Sequence, residues 1–119
     1  MSKVNNIYKS TFSGRKVDNG YSDFHYYEFI QNDKYGLSLF LDGILQSTSK
    51  DQHLFNEGIT KFALNSNPSP EHILIIGGAG GGILHSLIGR TNGSVKNIRV
   101  VDIDQKFFEI AKKYMKTWN

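Results

Sequence analysis

The sequence has 119 residues, with 14 Lys and Arg, 11 Asp and Glu, no cysteine and a formal net charge of +3. That length admits one average domain, or two small units sharing a core, and excludes a large two-domain enzyme within these residues. Without cysteine there is no disulfide framework or thiolate metal site, and no apolar run nears the ~18 residues of a membrane span, so a soluble cytoplasmic protein that engages no membrane is expected.

The opening MSKVNNIYKS lacks the apolar segment of a secretory signal. The first periodic stretches are FHYYEFI (24–30) and LSLFLDG (37–43), joined by the turn-forming QNDKYG. Rich in aromatic and aliphatic residues, they predict an antiparallel hairpin, and ILQSTS after the Asp42–Gly43 turn predicts a further short strand. Residues 51–64 place Leu54, Phe55, Ile59, Phe62 and Ala63 at helical spacing. Asp51 is the expected N-cap, and Gly58 costs that helix about 1 kcal/mol relative to Ala. Two prolines in NSNPSPEH (65–72) stop the helix and set a boundary: residues 1–66 read as a β subdomain with one helix, and 67–119 as a second region.

Past the boundary the period changes. ILII is apolar on both faces, as in a strand buried between helix layers of a parallel sheet. Ile83, Leu84, Leu87 and Ile88 share one side of a helix ending at Gly89; IRVVDI reads as a second strand. DQKFFEIAKKYMKTW (104–118) reads as a second helix capped by Asp104, with Phe107, Phe108, Ile110, Ala111, Tyr114, Met115 and Trp118 available for burial. The fold class is therefore α/β: a small antiparallel β subdomain, then a βαβα half of a doubly wound, Rossmann-like domain. The sheet of that half is incomplete, which leads us to expect an N-terminal portion of a longer protein.

The positive excess lies in residues 71–119, with seven basic and four acidic side chains. Lys112, Lys113 and Lys116 fall at a helix C-terminus, where cations offset the helix dipole. No basic face interleaved with aromatics is present, so no nucleic-acid partner is expected. His25, His53, His72 and His85 form no pair with metal-ligand spacing, and no metal site is expected.

Between the ILII strand and the next helix lies GGAGGG (77–82). Glycines there let a ligand approach the main chain, and Asp102, twenty residues after Gly82, ends the second strand where a carboxylate can take both hydroxyls of a ribose. The loop does not match G-x-G-x-x-G, which favours an adenosine site of the S-adenosylmethionine type over a pyrophosphate site.

Four ordered stretches, LFLDGILQSTSKD (39–51), FNEG (55–58), ILIIGGAGGGIL (73–84) and VVDID (100–104), resemble the first half of the polyamine aminopropyltransferases, the spermidine synthase family. The resemblance covers about residues 24–117. It implies transfer of an aminopropyl group from decarboxylated S-adenosylmethionine to putrescine or a related amine, with methylthioadenosine as product. It also implies no prosthetic group and a homodimer or homotetramer. Site residues carried over are Gln46 on the donor, Gly77, Gly78, Ala79 and Gly80 in the loop, and Asp102 on the ribose. The sequence departs from the family pattern at Gly80, where a loop aspartate is usual, and at Phe55, where a tyrosine is usual. Gln52, Asn56 and Gly58 also replace the usual residues. The family's catalytic base falls past Asn119, so residues 1–119 alone are expected to be inactive. Two other readings stay open: a non-catalytic relative that dimerises with or regulates a full-length partner, and a dinucleotide-binding module, which leaves LDGILQ unexplained.

Overall fold

Among the described residues six short strands and three helices form, most of them where the apolar pattern of the chain alternates. A computed structural model describes residues 13–78 and 81–115, and the chain divides into two compact units, residues 1–52 and 53–119.

The first unit is an antiparallel sheet of β1 (Arg15–Tyr21), β2 (Tyr26–Asn32), β3 (Gly36–Leu41) and β4 (Ile44–Thr48), in that spatial order. The β2–β3 hairpin is the expected one, paired from Tyr27↔Leu41 to Asn32↔Gly36. Its turn closes because Asn32 Oδ1 accepts the N–H groups of Lys34 and Tyr35, both at 2.9 Å, and because Gly36 takes φ 78°, where a side chain would strain. Phe29 and Phe40 are fully buried.

Strand β1 is not evident from the sequence, since RKVDNGY lacks apolar alternation. It is an edge strand, and charged residues with a bulge between Lys16 and Asp18 blunt it against further pairing. Lys16 reaches the buried Glu28 carboxylate at 3.1 Å, and that hydrogen bond, followed by the charge attraction, raises the Lys16 pKa above its ordinary 10.5.

The second unit comprises α1 (Gln52–Ser66), β5 (His72–Ile76), α2 (Gly82–Ile88), β6 (Asn97–Val101) and α3 (Gln105–Tyr114). β5 and β6 pair in parallel, from His72↔Asn97 to Ile76↔Val101, so the expected order of strand, glycine loop, helix, strand, helix is present. Helix α1 belongs to this unit, not to the sheet: its Ile59, Ala63 and Leu64 line a cavity of about 430 Å³ together with Ile73, Ile75 and Leu87. The division thus falls at 52/53, ahead of the proline stretch, whereas the sequence reading draws it at 66/67.

Three local expectations change. Strand β5 is buried on one face only: Ile75 is 6% exposed, but Leu74 is 58% and Ile76 80% exposed. A single crossover sets its helix on one face of a strand pair and leaves the other uncovered. Helix α1 likewise exposes Leu54, Phe55, Ile59 and Phe62 and buries Thr60. Asp51 precedes α1, and the hydrogen bond its carboxylate makes is to the Thr48 hydroxyl, with no helix-cap bond from it among the described residues. Gly89 does end α2, with φ −78° in the right-handed region. Asp104 caps α3 as expected, accepting the Phe107 N–H at 3.0 Å, and Phe107, Ala111 and Met115 are buried. Lys116 and Trp118 lie outside the described residues.

Candidate functional site

The parallel register brings the ends of β5 and β6 to one level. Gly77 N–H donates to Val101 O at 2.7 Å, so the glycine loop and Asp102 leave the sheet side by side. In an open parallel sheet this end of the strands is where ligands bind.

Each glycine has its own reason. Gly77 turns the chain at φ 79°, although a Cβ there would meet nothing within 4 Å; backbone conformation sets the requirement, not space. Gly78 is tight: a Cβ would come within 2.8 Å of Ile75 Cγ2 and 3.0 Å of Val100 Cγ1. Gly81, which the sequence reading does not single out within the GGG run, takes φ 78° ahead of α2 and donates its N–H to Gly78 O at 3.1 Å. With the Gly77 and Gly81 amides engaged, Gly78 N–H remains without a protein acceptor among the described residues. Ala79 and Gly80, both nominated from the sequence, lie outside those residues.

Asp102 is half-buried just past β6. Its Oδ1 accepts the Asp104 N–H at 2.9 Å, which fixes the turn into α3, and the carboxylate has a second oxygen able to accept hydrogen bonds. Asp104 is 5% exposed and serves as the α3 cap. Ile103 between them is 76% exposed, a feature that the alternation of IRVVDI hides.

Gln46 belongs to the first unit. It is exposed on β4, and its Nε2 donates to Ile44 O at 3.2 Å. The turn before it is pinned at Asp42, at φ 52° with Gly43 at φ 80°. The Asp42 carboxylate accepts from His25 Nδ1 at 2.8 Å and from Tyr26 N–H at 3.0 Å. The His25 bond, then the Tyr26 amide, lowers its pKa from the ordinary 3.8. Asp42 and Gly43 are therefore turn residues, as their types predict.

A family model described as the spermine/spermidine synthase domain matches residues 52–119. The chain belongs to the spermidine synthase family. Among its relatives, the polyamine aminopropyltransferase of Bacillus subtilis (strain 168) is 34% identical over 94 residues, covering 79% of this chain and 33% of that protein. Spermidine synthase 1 of Hyoscyamus niger is 37% identical over 95 residues, covering 80% of this chain and 30% of its own length. The crystal structure of spermidine synthase from Thermotoga maritima superposes with a TM-score of 0.79 at 31% identity, over 87% of this chain and 36% of that one. A spermidine synthase in complex with the transition-state analogue AdoDATO gives the same score and identity over 35% of its chain. Residues 1–119 thus span about a third of the length of these family members, and their α/β fold is that of the corresponding third.

Proposed function

We propose that residues 1–119 form the donor-nucleoside half of an aminopropyltransferase. The complete reaction transfers the aminopropyl group of decarboxylated S-adenosylmethionine to putrescine or a related amine and releases methylthioadenosine. The observation that carries this reading is Asp102 beside the glycine corner, with a second carboxylate oxygen able to accept from ribose hydroxyls and Gly78 N–H left for the nucleoside. A carboxylate that keeps one oxygen in the turn is already oriented, so it loses little freedom when the ribose arrives.

The chemistry needs more than this corner. Displacement at carbon next to a sulfonium requires an amine freed of its proton, and amines of this kind hold that proton to pH ~10. We assign no general base within residues 1–119. Gln46 is a candidate donor contact and Ala79 and Gly80 candidate loop contacts; the cytoplasmic location and a homodimer or homotetramer also belong to this proposal.

Amide chemical-shift mapping tests the reading. Methylthioadenosine is expected to move the Gly77, Gly78 and Asp102 signals, while incubation with decarboxylated S-adenosylmethionine and putrescine yields no spermidine. Shifts produced by NAD and not by methylthioadenosine would transfer the site to dinucleotide binding.

A further inference from the structure

We propose that Asn92 is a site of spontaneous covalent modification, at which the side-chain amide is lost through a cyclic imide to leave an aspartyl or isoaspartyl residue. The co-reactant is water.

The sequence holds two Asn-Gly steps, Asn19–Gly20 and Asn92–Gly93, and the structure tells them apart. In this chemistry the backbone nitrogen of the glycine gives up its proton and attacks the asparagine Cγ. The new C–N bond closes the imide ring as the Cγ–Nδ2 bond breaks, and Nδ2 leaves as ammonia carrying that proton. Water then opens the ring at either carbonyl. Glycine favours the step because it has no Cβ to obstruct the attack and its backbone reaches the conformation required.

At Asn19 the fold opposes the reaction. Gly20 lies in β1 opposite Tyr27. Ser22 N–H donates to His25 O, so antiparallel alternation commits the Gly20 N–H to Tyr27 O. The Tyr27 side chain also covers the glycine, since a Cβ there would fall 2.8 Å from the Tyr27 hydroxyl oxygen.

At Asn92 the same step is open. Asn92 and Gly93 are exposed in the loop between α2 and β6, and a Cβ on Gly93 would meet nothing within 4 Å. The Gly93 N–H has no protein acceptor among the described residues. Asn92 Oδ1 accepts the Ser94 N–H at 3.0 Å. That bond turns the side chain toward its own following backbone and polarises the carbonyl whose carbon is attacked. The product differs where it matters locally. Asn92 Nδ2 donates to Ser69 Oγ at 3.2 Å and to Pro68 O at 3.4 Å, tying this loop to the proline stretch ahead of β5. A carboxylate donates neither bond, and it sets an anion against the Pro68 carbonyl.

Peptide-mapping mass spectrometry of the chain aged in mildly alkaline buffer, folded and in guanidinium chloride, tests the proposal. Unfolded, the two steps should react at similar rates. Folded, Asn92 should keep most of that rate, while Asn19, which waits for local opening of β1, should slow roughly tenfold or more. Gly93→Ala, whose Cβ has room, should suppress the change at Asn92 and leave Asn19 as it was. Equal rates at the two sites in the folded chain, or a faster one at Asn19, overturn the proposal, as does an unaltered rate at Asn92 in Gly93→Ala.

Discussion

The two units solve the same problem, the burial of a sheet, to different degrees. In the antiparallel unit both faces of the central strands are buried: Phe29 and Leu39 on one side and Phe40 and Ser38 on the other are at most 3% exposed. Its β1 edge is blunted by charge and a bulge. In the parallel unit one face of the β5–β6 pair is open, and among the described residues the outer edge of each strand is unpaired, that of β5 included. Glu71 O accepts from Lys96 N–H and Gly77 N–H donates to Val101 O, so alternation turns the amides of His72, Leu74 and Ile76 away from β6. Strand β5 carries no Lys, Pro or bulge to protect that edge. The central strands of the first unit are thus buried on both faces, whereas the second carries its glycine corner on a strand pair buried on one face.

Core truncation should separate the units most. Phe40→Ala removes a fully buried ring and is expected to cost about 3–5 kcal/mol in urea unfolding. Phe62→Ala, at a ring 77% exposed, should stay within about 0.5 kcal/mol. A comparable loss at Phe62 would mean that the α1 stripe is covered after all.

Next in size is the Asp104 cap. Asp104→Ala frees the Phe107 N–H and should lower stability by about 1 kcal/mol, read by thermal unfolding followed in the helical signal. Opposite in sign, Gly58→Ala should stabilise α1 by about 0.5–1 kcal/mol, since a Cβ there meets nothing within 4 Å. Destabilisation would show that Gly58 is held for close approach of another group.

The smallest expected effect is the acid response of the exposed His25–Asp42 pair. The folded pKa of Asp42 lies below its ordinary 3.8. Its contribution is therefore complete above the unfolded value and is lost as pH falls through the lower folded value. Asp42→Asn should flatten that acid limb in urea midpoints measured from pH 6 to pH 2; an unchanged slope would assign the limb to other carboxylates.

Much of this was legible in the chain because local pattern and environment agree. The FHYYEFI and LSLFLDG runs form the hairpin their residue types favour, and the Asp104 cap and the ILII, GGAGGG, VVDID order sit where their spacing puts them. The misses share a physical origin. Strand β1 forms by pairing with β2 and not by burying a face, so RKVDNGY carries no periodicity to detect. The stripe on α1 and the second face of β5 are apolar, but apolarity states what a surface prefers, not whether another element covers it. At Asp51 the carboxylate bonds the nearby Thr48 hydroxyl, a partner that helical spacing does not reveal. In the corner itself, the engagement of Gly77 N–H in the ladder and the exposure of Ile103 depend on register, which spacing alone does not set.

In the proposed function Asp102 is the ribose partner, and its carboxylate should decide nucleoside affinity. Asp102→Asn keeps an oxygen for the Asp104 N–H while removing the carboxylate charge, so the fold should be retained. Calorimetric titration with methylthioadenosine is expected to show binding to the unsubstituted chain that is weakened roughly 10- to 100-fold in Asp102→Asn, the range for a lost charged hydrogen bond. Unchanged affinity in a folded Asp102→Asn variant would contradict the assignment.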